Sequence, residues 1–246
     1  MKGLIFEIRL NSLYSIRISF TWQSALTYPI LPPSSIIGLV ANALQRYKND
    51  KPPKKYLEEV ENNVIWAGSR LLTPCVIKSY TTSAITKWED YIGGKFTNAL
   101  GKQFAYSRKI EILLIVEDSC PIEEWKNALL SVPLTCGDSE SVISIESKPR
   151  EVPVKVNKYE KFSSSITSFF PVPFVKDSEV FNGTVYLMHK RCFLKKSKNL
   201  PLYSYLCPVK SENNILKPTE IEIRKLNAPC KIFEVDGIGY VVDLDQ

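Results

Sequence analysis

The chain carries a single histidine, His189, among 246 residues. Metal-free acid–base chemistry near neutral pH needs one group to accept a proton and another to donate it, and imidazole is the usual choice. One histidine leaves that pair incomplete. The six cysteines, Cys75, Cys120, Cys136, Cys192, Cys207 and Cys230, lie far apart with no C-x-x-C pair. This excludes zinc-ribbon and zinc-finger spacings and favours buried apolar thiols. Carboxylates do not cluster at a metal-binding spacing, no Gly-rich nucleotide loop is present, and no Ser-His-Asp or Cys-His set is suggested. Neither a metal, nor a cofactor, nor a catalytic residue is therefore expected. The N-terminus lacks a basic stretch followed by an apolar segment, and no apolar run is long enough to span a bilayer. The expectation is a cytoplasmic protein without membrane contact, its thiols reduced unless the source is a thermophile.

What is present suits a folded chain. Apolar residues make up 44% and charged residues 24%, ample for a core and without the signature of disorder. The length fits one elaborate domain or two small ones. Lys and Arg number 32 against 26 Asp and Glu, a net charge of +6. That balance suits a polyanionic partner and is also common in proteins that never meet one.

Along the chain, Leu4, Phe6, Ile8 and Leu10 alternate with Ile5, Glu7 and Arg9, the period of a half-buried strand. Tyr14, Ile16, Ile18 and Phe20 alternate likewise and predict a strand that extends or pairs with the first. The prolines at 29, 32 and 33 fix an extended path, and Ser34 and Ser35 sit where a helix N-cap belongs. Ile36, Ile37, Val40, Leu44 and Tyr47 then predict a helix to about Lys48, in which Gly38 suggests close approach of another backbone. A shorter helix is expected over 56–65 and a strand over 71–83. Residues 84–103 sustain no period and read as an extended hairpin or protruding loop. Residues 104–117 return to strand, and Pro121, Trp125, Ala128 and Leu129 mark a second helix. A turn over 136–141 leads into a strand at 142–145. The order strand, helix, strand-hairpin-strand, helix, strand is that of an α+β, ferredoxin-like or RRM-type unit over 1–156. Short β-like pieces at 184–188, 220–226, 231–235 and 240–244, with no strong helix, predict a β-rich C-terminal part over 157–246.

Residues 24–39, reading Ser-Ala-Leu-Thr-Tyr-Pro-Ile-Leu-Pro-Pro-Ser-Ser-Ile-Ile-Gly-Leu, resemble a motif near the N-terminus of the fifth CRISPR-associated (Cas) family. In that motif Tyr-Pro is followed by a few apolar residues, Pro-Ser and an apolar pair before Gly. The family lies in the repeat-associated mysterious protein (RAMP) superfamily. Phe104-Ala105-Tyr106-Ser107-Arg108-Lys109 leading into a core strand, and the helix exit through 137–141, agree with it. The similarity runs over roughly 1–156, and the archaeal type I-A and I-D versions are nearest. The resemblance implies an RRM-like domain with a long β-hairpin thumb, here falling on 84–103, and a variable β-rich extension. It implies a subunit that caps one end of a Cascade complex in antiviral defence and holds the 5′ handle of the crRNA. Such a subunit contacts the backbone subunit and the large subunit, and meets target DNA only indirectly.

On the thumb, Lys87, Lys95, Lys102, Arg108 and Lys109 suit phosphates, while Trp88, Tyr91 and Phe96 suit stacking on unpaired bases at about 1–3 kcal/mol each. The alternative is that these aromatics pack the thumb onto its own domain or a neighbour. The helix start at Ser34 and Ser35 is either a phosphate site or an ordinary N-cap. Residues 137–141 contact phosphate or sugar, or form a turn, which their acidic residues favour. His189, Lys190 and Arg191, near Lys195, Lys196 and Lys198, are a second RNA-contacting surface or a solvated charge run. One branch of the family, in type I-C systems, is the crRNA-processing nuclease. A metal-independent endoribonuclease is therefore the alternative to the non-catalytic clamp that the lone histidine favours. A protein scaffold whose neighbours hold the RNA, and a free-standing single-strand RNA-binding module, are the remaining readings.

Overall fold

In the computed structural model, residues 1–21, 24–89, 94–137, 140–192 and 201–245 are described, with 82–89 and 94–100 described by their backbone alone. The first part of the chain runs β1 (Lys2–Leu10), β2 (Ser24–Ala25), α1 (Pro33–Lys48), α2 (Pro53–Asn63), β3 (Val64–Leu71), β4 (Cys75–Glu89), β5 (Gly94–Ser107), β6 (Lys109–Val116), α3 (Ile122–Ser131), β7 (Leu134–Thr135) and β8 (Val142–Ile145). Among the described residues the elements that follow are all strands: β9 (Arg150–Tyr159), β10 (Phe162–Ser168), β11 (Val172–Pro173), β12 (Glu179–Phe181), β13 (Thr184–His189), β14 (Leu202–Cys207), β15 (Val209–Glu212), β16 (Ile215–Pro218), β17 (Ile221–Leu226), β18 (Cys230–Val235) and β19 (Gly239–Leu244). The protein is a mixed α/β, sheet-rich molecule with few helices.

Strand β1 pairs antiparallel with β6 along its length, and on its other edge with β9 near its start and β8 near its end. Strand β3 lies beyond β6, while β18 and β19 extend the sheet beyond β9. The sheet thus crosses residue 156, and the last two strands widen what the first begins. Alternation along β1 and β6 sorts their side chains between two cores. Leu4, Phe6, Ile8, Ile110, Ile112 and Leu114 pack with Ile37, Val40 and Leu44 of α1 and with Trp125 of α3. Ile5, Leu113 and Ile115 face the other way, against Trp66, Phe170, Phe233 and Val241. Apolar cover on both faces explains why β6 reads as an almost unbroken apolar run.

At Thr73 and Ser107 two strands leave this sheet together. The Ser107 hydroxyl donates to Thr73 O (3.0 Å), and the Lys109 N–H donates to the Thr73 hydroxyl (3.0 Å). From this knot β4 and β5 run out as a long antiparallel hairpin, flanked by β16 and β15 on one side and by β2 on the other.

Several sequence expectations are corrected. The run 14–20 is no strand: Tyr14 and Arg17 form only isolated bridges, to Ala105 and Thr27. Tyr14 and Ile16 turn into the core, and Phe20 stands in a left-handed turn at φ 62°. Pro32, not a serine, caps α1, with Pro33 as its first residue and no side-chain cap. Among the described residues a Cβ on Gly38 would meet nothing within 4 Å, so none of their backbone approaches there. The second helix spans Pro53–Asn63, and Val64–Leu71 is a strand that the sequence reading missed. The single strand expected over 104–117 breaks at Arg108, between two sheets. At the 136–141 turn Gly137 takes φ 86°, and an added Cβ would lie 2.8 Å from Ser15 O. Asp138 and Ser139 lie outside the described residues.

Candidate nucleic-acid interface

The register of the hairpin pairs Val76 with Tyr106, Lys78 with Phe104 and Tyr80 with Lys102. Directly opposed residues share a face, and the period of two places all six on the same one. The opposite face turns inward at the foot of the hairpin, where Cys75, Ala105 and Ser107 are fully buried, while Ser79 and Thr81 farther out on it are exposed. The outward face is a ladder of aromatic and basic groups. Tyr80 and Tyr106 are 49% and 42% exposed. The Tyr80 and Phe104 rings meet edge-on at 5.7 Å, and Lys102 Nζ lies 4.6 Å over the Phe104 ring. Lys78 and Arg108 are exposed and form no ion pair among the described residues. Strand β16 continues the face, with Ile215 opposite Val76 and Lys217 opposite Lys210.

Cations on the central sheet are used differently. At the end of the sheet that the C-terminal strands leave open, Lys109 reaches Glu146 (3.1 Å) and Glu7 (3.6 Å), and Arg9 lies 3.8 Å from Glu146. Arg70 Nε donates to Glu111 at 2.5 Å. Three cations thus meet three carboxylates, and the Lys109 ammonium holds the Glu146 carboxyl below its ordinary range.

The segment from His189 to Cys192 is tied inward. Lys190 Nζ donates to both carboxylate oxygens of Asp243 (2.8 and 2.7 Å), and burial pushes that carboxyl up against the pull of Lys190. Arg191 Nη1 donates to Glu61 O (3.1 Å) and Val64 O (2.7 Å) at the end of α2, and Cys192 Sγ donates to Ser34 O (2.8 Å). Both ring nitrogens of His189 have neighbours, the Ser19 hydroxyl at 3.2 Å and Pro201 O at 3.3 Å. The sequence shows no carboxylate near Lys190; the fold brings Asp243 to it.

The proline-serine motif is a buried strap. Tyr14 donates its hydroxyl proton to Pro29 O, Tyr28 donates to Leu187 O, and the Ser69 hydroxyl bonds both the N–H and the carbonyl of Leu31. Tyr28, Ile30 and Leu31 are buried. Ser34 and Ser35 are half-buried, and the Ser35 N–H is already directed to Pro32 O (3.0 Å).

Of the residues singled out from the sequence, Lys102 and Arg108 belong to the second arm of the hairpin and its foot, while Lys109 lies on the central sheet. Tyr91 is outside the described residues, as are the side chains of Lys87, Trp88, Lys95 and Phe96; the backbone pairs Lys87 with Phe96 and Trp88 with Lys95. Lys78, Tyr80, Phe104 and Tyr106 were missed. Their signal is alternation at period two on both arms, legible only with the register in hand, because a slip of one residue exchanges the faces.

Burial pushes the thiols of Cys75 to about 11 and of Cys120 and Cys192 to about 12, and raises those of Cys207 and Cys230. Burial also raises the phenols of Tyr28 and Tyr186. Such groups stay protonated near neutral pH, which suits packing and not nucleophilic attack. Among the described residues no group of His, Cys, Asp and Glu is arranged to hold a metal ion, and no helix is long and apolar enough to cross a membrane.

No protein-family model matches the chain. A CRISPR-associated protein Cas5 from Thermoproteus tenax is 26% identical over 161 residues, covering 59% of this chain and 67% of that protein. The crystal structure of a CRISPR protein from Archaeoglobus fulgidus has the same fold over 100% of both chains, with a TM-score of 0.59 at 15% identity. The chain is Cas5-like. A chain from the cryo-EM structure of the type III-B Cmr-beta bound to cognate target RNA and AMPPnP shares the fold more distantly. It covers 91% of the Cas5-like chain and 86% of its own length, with a TM-score of 0.51 and 10% identity.

Proposed function

We propose that the chain is a non-catalytic subunit of a type I CRISPR effector complex that holds crRNA by its 5′ handle along the outer face of the hairpin. The observation that carries this reading is the ladder of Lys78, Tyr80, Lys102, Phe104 and Tyr106, which sets phosphate-binding cations beside rings on which unpaired bases stack. The domain beneath it is ferredoxin-like: β1, β3, β6 and β8 are its four strands, in the spatial order β8-β1-β6-β3, with helices on one face. In an RRM the other face of such a sheet reads RNA through aromatic residues on its strands. Here the equivalent positions on β1 and β6 are Ile5, Glu7, Arg9, Lys109, Glu111, Leu113 and Ile115, either covered or ion-paired. RNA recognition moves to the hairpin. Contacts to a backbone subunit and a large subunit belong to the same reading by family resemblance, as does the role in antiviral defence.

Replacing Lys78, Tyr80 and Tyr106 together by Ala tests it: crRNA crosslinking and assembly should be lost with the thermal midpoint unchanged. Intact crosslinking would return the chain to the role of a protein scaffold. For the non-catalytic part, purified protein is mixed with its repeat RNA without metal, and the RNA should stay whole. Specific cleavage that disappears in His189→Ala would establish the endoribonuclease instead.

A further inference from the structure

We propose that a cleft of about 430 Å³ at the foot of the hairpin is a binding site for a single nucleobase, with Phe169 as its stacking wall and Arg70 as its floor. Leu71 and Leu72, which lead from β3 towards β4, and Pro218, Thr219 and Glu220 complete its lining.

Arg70 is held rigidly. Its Nε is bound to buried Glu111, and its guanidinium carbon lies 5.0 and 5.3 Å from the ring centroids of Phe169 and Phe170. A fixed guanidinium beside an aromatic ring is a platform for another planar group. Phe169 nevertheless keeps 37% of its surface exposed, an apolar ring left open beside that platform.

The charge balance selects the ligand. Glu111 already neutralises Arg70, and the exposed Glu220 adds a negative charge to the lining, so a phosphate gains nothing here and a neutral heterocycle is favoured. An ionised carboxylate only accepts hydrogen bonds. Glu220 therefore favours bases with an exocyclic amino group, such as cytosine, over uracil. The base comes from a strand held on the hairpin, which rests on the RNA reading above, or from a free nucleotide.

The full chain labelled with 4-fluorophenylalanine tests this by ¹⁹F NMR, with the Phe169 resonance assigned from Phe169→Leu. The probes are cytidine monophosphate, uridine monophosphate, a short single-stranded RNA and the same strand made abasic. The Phe169 signal should shift saturably with base-bearing probes and not with the abasic strand. Phe169→Leu should weaken the base-bearing strand by about 5- to 150-fold and leave the abasic strand unaffected. Glu220→Gln should abolish the preference for cytidine over uridine. A shift with the mononucleotide identifies a free nucleotide as the source, and a shift with the strand alone identifies RNA. An equal shift with the abasic strand, or none with any probe, overturns the site. If no strand binds the protein at all, the RNA reading falls while the mononucleotides still decide the cleft.

Discussion

The open end of the central sheet and the outer face of the hairpin both carry cations on neighbouring strands, but the two surfaces use them differently. On the sheet, Arg9, Lys109 and Arg70 meet Glu7, Glu146 and Glu111. On the hairpin, Lys78 and Arg108 form no ion pair among the described residues, and Lys102 lies against Phe104. Charge already matched within the fold serves stability and orientation, while the exposed charges of Lys78 and Arg108, on a face that also carries aromatic rings, are available to a partner. Removing a matched charge should therefore damage the fold, and removing an open one should damage binding.

The largest expected effect lies at the inward-tied Lys190. Lys190→Met leaves Asp243 buried without its cation and should lower the free energy of unfolding by about 3–5 kcal/mol, read by urea denaturation. Adding Asp243→Leu should recover most of it. In the single variant burial acts without the opposing pull of Lys190, so the neutral acid of Asp243 is favoured more than in the parent. Stability should then be highest at acid pH and fall as pH rises through the raised pKa. A single variant as stable as the parent would refute the division between matched and open charge.

Next in size are Tyr80→Ala and Tyr106→Ala. Each should cost about 1–3 kcal/mol in binding of single-stranded RNA by fluorescence anisotropy, with unfolding changed by no more than about 0.5 kcal/mol. Loss of stability with binding intact would make these rings packing groups. Smaller again, Lys78→Ala and Arg108→Ala should each reduce the slope of log affinity against log salt by about 1. Unchanged slopes would remove both cations from the path of the RNA. The smallest change is expected for Lys109→Ala, which should leave RNA binding and its salt slope intact. Its effect should appear in acid titration. Glu146, with its carboxyl depressed by Lys109, contributes stability that is present above the ordinary carboxylate pKa and lost as pH falls through the depressed value. That contribution should shrink in the variant to what Arg9 and Arg108 still supply, and a binding defect there would merge the two surfaces.

The same contrast explains what was legible in the sequence. Strand β1 shows itself because its alternation is local, and α1 and α3 because their apolar residues recur at helical spacing. Gly137 was readable as part of a turn. Val64–Leu71 was not readable as a strand, because it is buried almost throughout and follows a helix without a Gly or Pro to separate them. The Lys190–Asp243 pair spans 53 positions, so its matching is invisible until the fold is known. Ser34 and Ser35 looked like ligand groups, yet the strap they close is held by Tyr28 within the motif and by Tyr14 and Ser69 outside it, and the partner of Tyr28, Leu187, is distant in sequence.

Strand β1 also has a history during synthesis. Its partners are β6, β8 and β9, and the nearest of these begins at Lys109. At about 5–20 residues per second, a growing chain carries its first strand for roughly 5–20 seconds before β6 has been made. Leu4, Phe6 and Ile8 spend that interval without the sheet that later buries them. The helices α1 and α2 can wind in the meantime, since their hydrogen bonds are local, but the central sheet assembles only as β6 leaves the ribosome.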